Sequence, residues 1–305
     1  MREPKNRRLS LWCFFASALL FIGSLLSWLP LAWPRLVSAP ASLLLGPLAL
    51  YVMAHAGRML RLGLLLGSIR LRKLLGLYVY TAACSALIPF KLGELVRINE
   101  FAWQQAGSYA RGLVIVWVER VFDMIAVSAI VLLLVTHADV ALFSLAPVLW
   151  LTCAFVLATL CFFFVLPEQL GALNLHVIRT YRNEKAVRVL RILEAVNDLS
   201  QLARPLLNGR VLTFSLITFF IWAFELLAVG LLMHDLRSWN PLLQLVSQFA
   251  DIISHGAGHR PSTDAPVSLF DQWKIQILAM PGLISLFAFR YWRRGSASQR
   301  EGWAR

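Results

Sequence analysis

The 305-residue chain is 59% hydrophobic and 15% charged, with a mean hydropathy of +0.68. Soluble domains carry about 25% charged residues, so this composition excludes a soluble globule and points to a chain solvated by a bilayer. The net charge of +13 would suggest a nucleic-acid partner in a soluble protein. Here the basic residues fall between apolar runs, as positive-inside topology requires, and no nucleic-acid partner is expected.

A transmembrane helix needs about 20 apolar residues. The start, "MREPKNRRLSLWCFFASALLFIGSLLSWLPLAW", has the plan of a signal peptide. Its apolar run outlasts the roughly 7–15 residues of a signal core, so an uncleaved first span is expected over 11–33. Further spans are expected over 41–57, 112–136, 141–166, 211–234 and 275–292. The apolar run 74–90 is placed by charge. Arg2, Lys5, Arg7 and Arg8 put the N-terminus in the cytoplasm, and two crossings return the chain there at Arg58, Arg61, Arg70, Arg72 and Lys73. The segment 167–210 carries Arg179, Arg182, Lys185, Arg188 and Arg191 and reads as a cytoplasmic connector. Two spans already separate these basic stretches, so 74–111 must enter and leave on one side, as a hairpin.

The hairpin turn falls at "IPFKLGE", residues 88–94. Pro89 lacks a backbone donor and disfavours helix at Ile88, while Gly93 allows close backbone approach. Broken backbone at membrane depth survives only where protein buries it or water lines it, so the hairpin belongs inside the protein. Within 176–205, Val187, Leu190, Leu193 (or Glu194) and Val196 lie at helical spacing among basic residues, giving either a membrane-surface helix or a solvated connector. The segment 235–274 is extracytoplasmic by the same count. Its short apolar run 241–255 suits a second re-entrant element, which would fit an inverted repeat. The expected fold is therefore an all-α polytopic membrane protein: one integral membrane domain over 1–305, about six spans, one or two re-entrant hairpins and both termini cytoplasmic.

Seven ionisable residues gather around the hairpin and the span after it: Lys91, Glu94, Arg97, Glu100, Glu119, Arg120 and Asp123. On a helix Lys91, Glu94 and Arg97 share one face, as do Glu119 and Asp123 on the next span. The two stacked carboxylates repel and need cations, for which Arg97 and Lys91 are nearest in sequence. A charged group at the centre of a membrane helix costs about 2.5–3.5 kcal/mol, so such residues mark a functional crevice unless they form a structural ion-pair network.

The stretches "IPFKLGELVR" and "GSYARGLVIVWVERVFD" resemble the lysylphosphatidylglycerol synthase transmembrane-region family, which includes the flippase half of the multiple peptide resistance factor. Arg58, Pro89, Gly93, Glu94, Arg97, Glu119, Arg120 and Asp123 stand where its motifs have an Arg closing the second span, Pro-x-x-x-Gly-Glu-x-x-Arg, and Glu-Arg-x-x-Asp. The likeness is specific over about 55–125. It implies a polytopic fold with re-entrant helices, lipid movement between leaflets, and a bacterial inner-membrane location. Ser85 stands where the family often has Asn, and "SHGAGHRP" replaces its usual glycine-rich turn followed by Glu.

Other signals are weaker. Asp251, His255 and His259 are four apart, but Gly256 and Gly258 oppose a regular helix there, so no metal is expected. Cys13, Cys84, Cys153 and Cys161 lie in apolar runs without a C-x-x-C pair and read as small hydrophobes. No nucleotide or hydrolase motif is present, and no cofactor is expected. The leading reading is a non-enzymatic translocator of a membrane lipid or lipid-linked glycan. Lys91 and Arg97 would meet an anionic headgroup, with Glu94, Glu119 and Asp123 balancing them or carrying protons, and Arg58 and Arg120 completing the translocation site. The alternative is a membrane-embedded transferase, with Glu119 or Asp123 as general base, or a scaffold for envelope-biosynthesis proteins. The chain ends after its last span, so no synthase domain is expected to follow. The seven charges sum to −1, and Arg111 brings them to zero, leaving headgroup charge open.

Overall fold

A computed structural model describes residues 3–38, 41–67, 70–88, 92–104, 108–137, 142–180, 184–233, 240–246, 274–275 and 277–286. Every regular element among these residues is helical: α1 (Glu3–Ser38), α2 (Ala41–Leu66), α3 (Leu71–Leu87), α4 (Leu92–Gln104), α5 (Tyr109–His137), α6 (Leu142–Leu160), α7 (Leu166–Thr180), α8 (Glu184–Leu207) and α9 (Val211–Leu232). Two further helices, α10 (240–246) and α11 (Ile277–Leu286), follow. This is the all-α fold that composition demands, because helices satisfy their own backbone groups in a solvent that offers no hydrogen bonds.

Two of these helices are long and apolar enough to cross a bilayer, α2 over Leu45–Leu66 and α9 over Val211–Leu232. Large apolar side chains also stand outward along several helices, including Leu19 at 75%, Trp150 at 75% and Leu212 at 73% exposure. In water such a surface would aggregate; facing acyl chains it costs nothing.

The chain divides into two compact units, Met1–Tyr109 with Phe220–Arg305, and Ala110–Phe219. In the first, Phe14, Phe21 and Leu25 of α1 pack with Tyr80, Ala83 and Cys84 of α3, with Ala228 and Leu232 of α9, and with Leu278 and Ala279 of α11. Small residues bring these backbones close. A Cβ on Gly282 would lie 2.4 Å from the Ala83 Cβ, the close approach that membrane helix interfaces favour. Within it the Ser17 hydroxyl meets the Tyr80 hydroxyl at 2.9 Å and the Phe14 carbonyl at 2.8 Å.

In the second unit, Trp117 of α5 stacks on Phe162 with centroids 5.2 Å apart, meets Phe163 edge-on, and donates its indole N–H to Thr159 Oγ1 at 2.9 Å. The helix carrying these rings does not stop at residue 166, where the span 141–166 was expected to end. It continues as α7 through a π-helical turn at Cys161–Val165, in which the Leu166 N–H donates to the Cys161 carbonyl five residues back. Pro167 supplies the reason. Its ring clashes with the carbonyl four residues earlier, and the wider turn relieves that clash without ending the helix. Val187, Leu190, Leu193 and Val196, read at helical spacing, all lie on α8, which packs against α7.

Two chain reversals rest on glycine. Gly67 (φ +80°) closes α2 and Gly209 (φ +70°) lies in the turn between α8 and α9, both in the left-handed region that a Cβ disfavours. The expected second span, 41–57, is also too short. The helix runs on to Leu66 and carries Arg58 and Arg61 within it, and Arg61 is fully buried.

Candidate functional site

The proline-directed break lies where the sequence puts it. α3 ends at Leu87, and Ile88 turns extended (φ −81°, ψ 120°), as a residue preceding proline must. α4 resumes at Leu92, and Pro89 and Lys91 lie outside the described residues. Gly93 is buried against the end of α3, and a Cβ there would stand 2.4 Å from Ser85 Cα and 2.6 Å from the Cys84 carbonyl oxygen. The glycine is thus needed for space: it lets two helix backbones touch just beyond the break. This α3–α4 hairpin spans 17 and 13 residues.

On α4, Arg97 donates to Glu94 at 3.1 Å, the (i, i+3) pair that spacing predicts, and its guanidinium lies 5.5 Å from the Phe101 ring centroid. Arg97 and Glu100 are both buried. Below them the Tyr109 hydroxyl donates to Asn99 Oδ1 at 3.1 Å. The first unit therefore holds charge on the second arm of its hairpin, with aromatic and amide groups around it.

The second unit holds Glu119, Arg120 and Asp123 on α5. Arg120 donates to Asp123 at 3.3 Å. Glu119 and Asp123 are buried one helical turn apart, while the Arg120 side chain is 37% exposed. Arg120 neutralises Asp123 within its own helix, as Arg97 and Glu94 neutralise each other on α4.

Arg58 has a partner that sequence reading missed. Its guanidinium pairs with the Glu225 carboxylate on α9, tying α2 to α9 inside the first unit. Glu225 is the single charged residue in the α9 sequence VLTFSLITFFIWAFELLAVGLL. A lone ionisable residue in so apolar a helix was the available signal. Four more groups, Tyr51, His55, Tyr78 and Lys274, gather on that side of α2. Tyr51, His55 and Arg58 follow at (i, i+4) and (i, i+3) spacing, and the His55 ring meets Tyr51 edge-on with centroids 4.4 Å apart. Its Nδ1 is 2.5 Å from the Tyr78 hydroxyl on α3. Lys274 Nζ stands 5.7 Å from the Tyr51 ring centroid.

No group of three or more metal-ligating side chains occurs among the described residues. The Asp251, His255 and His259 set and the "SHGAGHRP" turn lie outside the described residues.

Chain-wide comparison agrees with this motif geometry. Curated proteins and solved structures give no match. The family model for the lysylphosphatidylglycerol synthase TM region matches residues 9–254, which includes the hairpin, the Glu-Arg-x-x-Asp helix and Glu225. The chain is a membrane protein and belongs to the lysylphosphatidylglycerol synthase transmembrane-region family.

Proposed function

We propose that this chain translocates a lipid or lipid-linked amphiphile across its membrane and performs no covalent chemistry on it. The observation that carries the reading is the burial of ionisable side chains in the helices of a membrane domain: Arg97 at 6%, Glu119 at 1% and Asp123 at 7% exposure. Each charge at membrane depth costs about 2.5–3.5 kcal/mol before pairing, and apolar residues would fill the same volume without that cost. A polar headgroup passing through an apolar slab needs such groups along its path; a purely structural core does not. The hairpin supports the same reading. Its helices, at about 1.5 Å per residue, extend roughly 26 and 20 Å, short of the roughly 30 Å hydrocarbon core. That is the length of a re-entrant element, whose broken tip must be surrounded by protein or water. In this reading the chain resides in a bacterial inner membrane with cytoplasmic termini, Arg97 and Arg58 meet the headgroup, and the carboxylates balance or relay charge.

The test reconstitutes the protein into phosphatidylcholine vesicles with a trace of fluorescent phospholipid and adds dithionite, which bleaches only outer-leaflet label. Wild type should expose the inner-leaflet label, and Arg97→Ala, checked for a monodisperse folded state, should lose most of that exchange. Equal exchange by both proteins would refute a role for the hairpin charge. Turnover of a lipid donor by the purified protein would favour a transferase instead.

A further inference from the structure

The cluster on α2 bears on the kind of headgroup recognised. His55 is held from two directions, by Tyr51 one turn before it and by Tyr78 from α3, and the Arg58–Glu225 pair lies one turn after it in the chain. Of its two ring nitrogens, Nδ1 is engaged by Tyr78, whereas Nε2 is buried and has no hydrogen-bond partner among the described residues. A buried polar atom in a well-packed site calls for an explanation, because leaving it unmatched costs free energy.

Chemistry fixes what that nitrogen offers. A phenol is the better donor and an unprotonated imidazole nitrogen the better acceptor, so Tyr78 donates its O–H to Nδ1. The ring proton of the neutral imidazole then sits on Nε2, which presents an N–H donor. The surrounding charge has the matching sign. The positive charges of Arg58 and Lys274 both act on His55. Glu225 is the carboxylate paired to Arg58, so among the described residues this side of α2 carries both Arg58 and Lys274 with the Glu225 carboxylate. A donor N–H in a cationic, largely apolar setting is suited to an anionic oxygen and unsuited to an ammonium group.

We propose that His55 Nε2–H, with Arg58 and Lys274 beside it, forms a binding site for an anionic phosphate oxygen of the transported amphiphile. This rests on the translocation reading and sharpens it: the substrate class is an anionic phospholipid or a lipid-linked phosphate. Tyr78 is a positioning residue, acting through the imidazole tautomer it selects.

Native mass spectrometry of the delipidated full chain in detergent, titrated with phosphatidylglycerol or phosphatidylcholine, tests the site without requiring transport. Wild type should prefer phosphatidylglycerol. His55→Leu should weaken that binding by about ten- to hundredfold, the worth of one hydrogen bond to a charged group. His55→Gln, whose amide N–H reaches roughly to the Nε2 position, should keep most of it. Lipid displaced from wild type by millimolar inorganic phosphate would identify phosphate itself as the recognised group. Lipid retained against it would identify the phosphate within its headgroup. Equal phosphatidylglycerol binding by wild type and His55→Leu would overturn the site. So would a His55→Gln variant as weak as His55→Leu, since the imidazole would then serve packing alone, and so would no preference for phosphatidylglycerol over phosphatidylcholine. A wild type that binds phosphatidylglycerol through His55 yet moves no label in vesicles would refute translocation and leave the site standing.

Discussion

Gly93→Ala is the sharpest test of the hairpin, because its cost follows from two distances. The added methyl would lie 2.4 Å from Ser85 Cα and 2.6 Å from the Cys84 carbonyl oxygen. Carbon atoms rest about 3.5–4.0 Å apart, so the methyl falls short by more than about 1 Å. Both obstructing groups are backbone and have no rotamer by which to retreat, so α3 and α4 must separate. Overpacking of this kind costs about 1–3 kcal/mol, and the backbone contact argues for the upper end. Against it stands the helix preference of Ala over Gly, about 1 kcal/mol. The net expectation is a loss of about 1–2 kcal/mol. Gly171 on α7, whose Cβ would meet nothing within 4 Å, is the control. There the same substitution should stabilise by about 0.5–1 kcal/mol. Equilibrium unfolding in mixed micelles with rising sodium dodecyl sulfate reads both variants against wild type. A Gly93→Ala protein as stable as wild type, or shifted in the same direction as Gly171→Ala, would refute the backbone contact between the hairpin arms.

Three further outcomes follow from named contacts. Gly282→Ala should destabilise, because its methyl would lie 2.4 Å from the Ala83 Cβ; adding Ala83→Gly should recover about 1 kcal/mol or more of that loss, read as the coupling in a double-mutant cycle. Glu225→Gln and Arg58→Gln should each weaken the α2–α9 connection, with a coupling energy of about 1.5–3 kcal/mol between them, the worth of a hydrogen bond to a charged group. Additive effects in the unfolding titration would show that the pair contributes no energy. Trp117→Phe keeps a ring for Phe162 to stack on but removes the donor to Thr159, so it should cost about 0.5–1.5 kcal/mol, and Trp117→Ala about 3–5 kcal/mol. Equal losses in the two variants would contradict that division.

Much of the hairpin was readable from local rules. A proline dictates the conformation of the residue before it, so the extended Ile88 and the end of α3 at Leu87 could be placed from "IPFKLGE" alone. The (i, i+3) spacing of Glu94 with Arg97, and of Arg120 with Asp123, became ion pairs because one helical turn brings such side chains together. The same local reasoning failed at helix ends. Arg58 and Arg61 were read as residues beyond the second span, yet both lie within α2, because a long basic side chain near the edge of an apolar helix can be buried or paired without ending it. The span expected over 141–166 likewise belongs to a helix that runs on past residue 166, because a π turn at Cys161–Val165 accommodates Pro167.

By itself the amino-acid sequence determined that this is an all-α membrane protein, where its hairpin breaks, and which family's charged motifs it carries. These properties follow from hydropathy, helical period and proline sterics, all of which act within a few residues. Only the tertiary structure decided that Arg58 pairs with Glu225, 167 residues away in the chain, that Gly93 lies against backbone and Gly282 against the Ala83 methyl, and that His55 stands between two tyrosines with one nitrogen unmatched among the described residues. Those facts depend on which helices lie side by side. An apolar helix surface has no pattern that names its neighbour, so the partners emerge only when the helices pack.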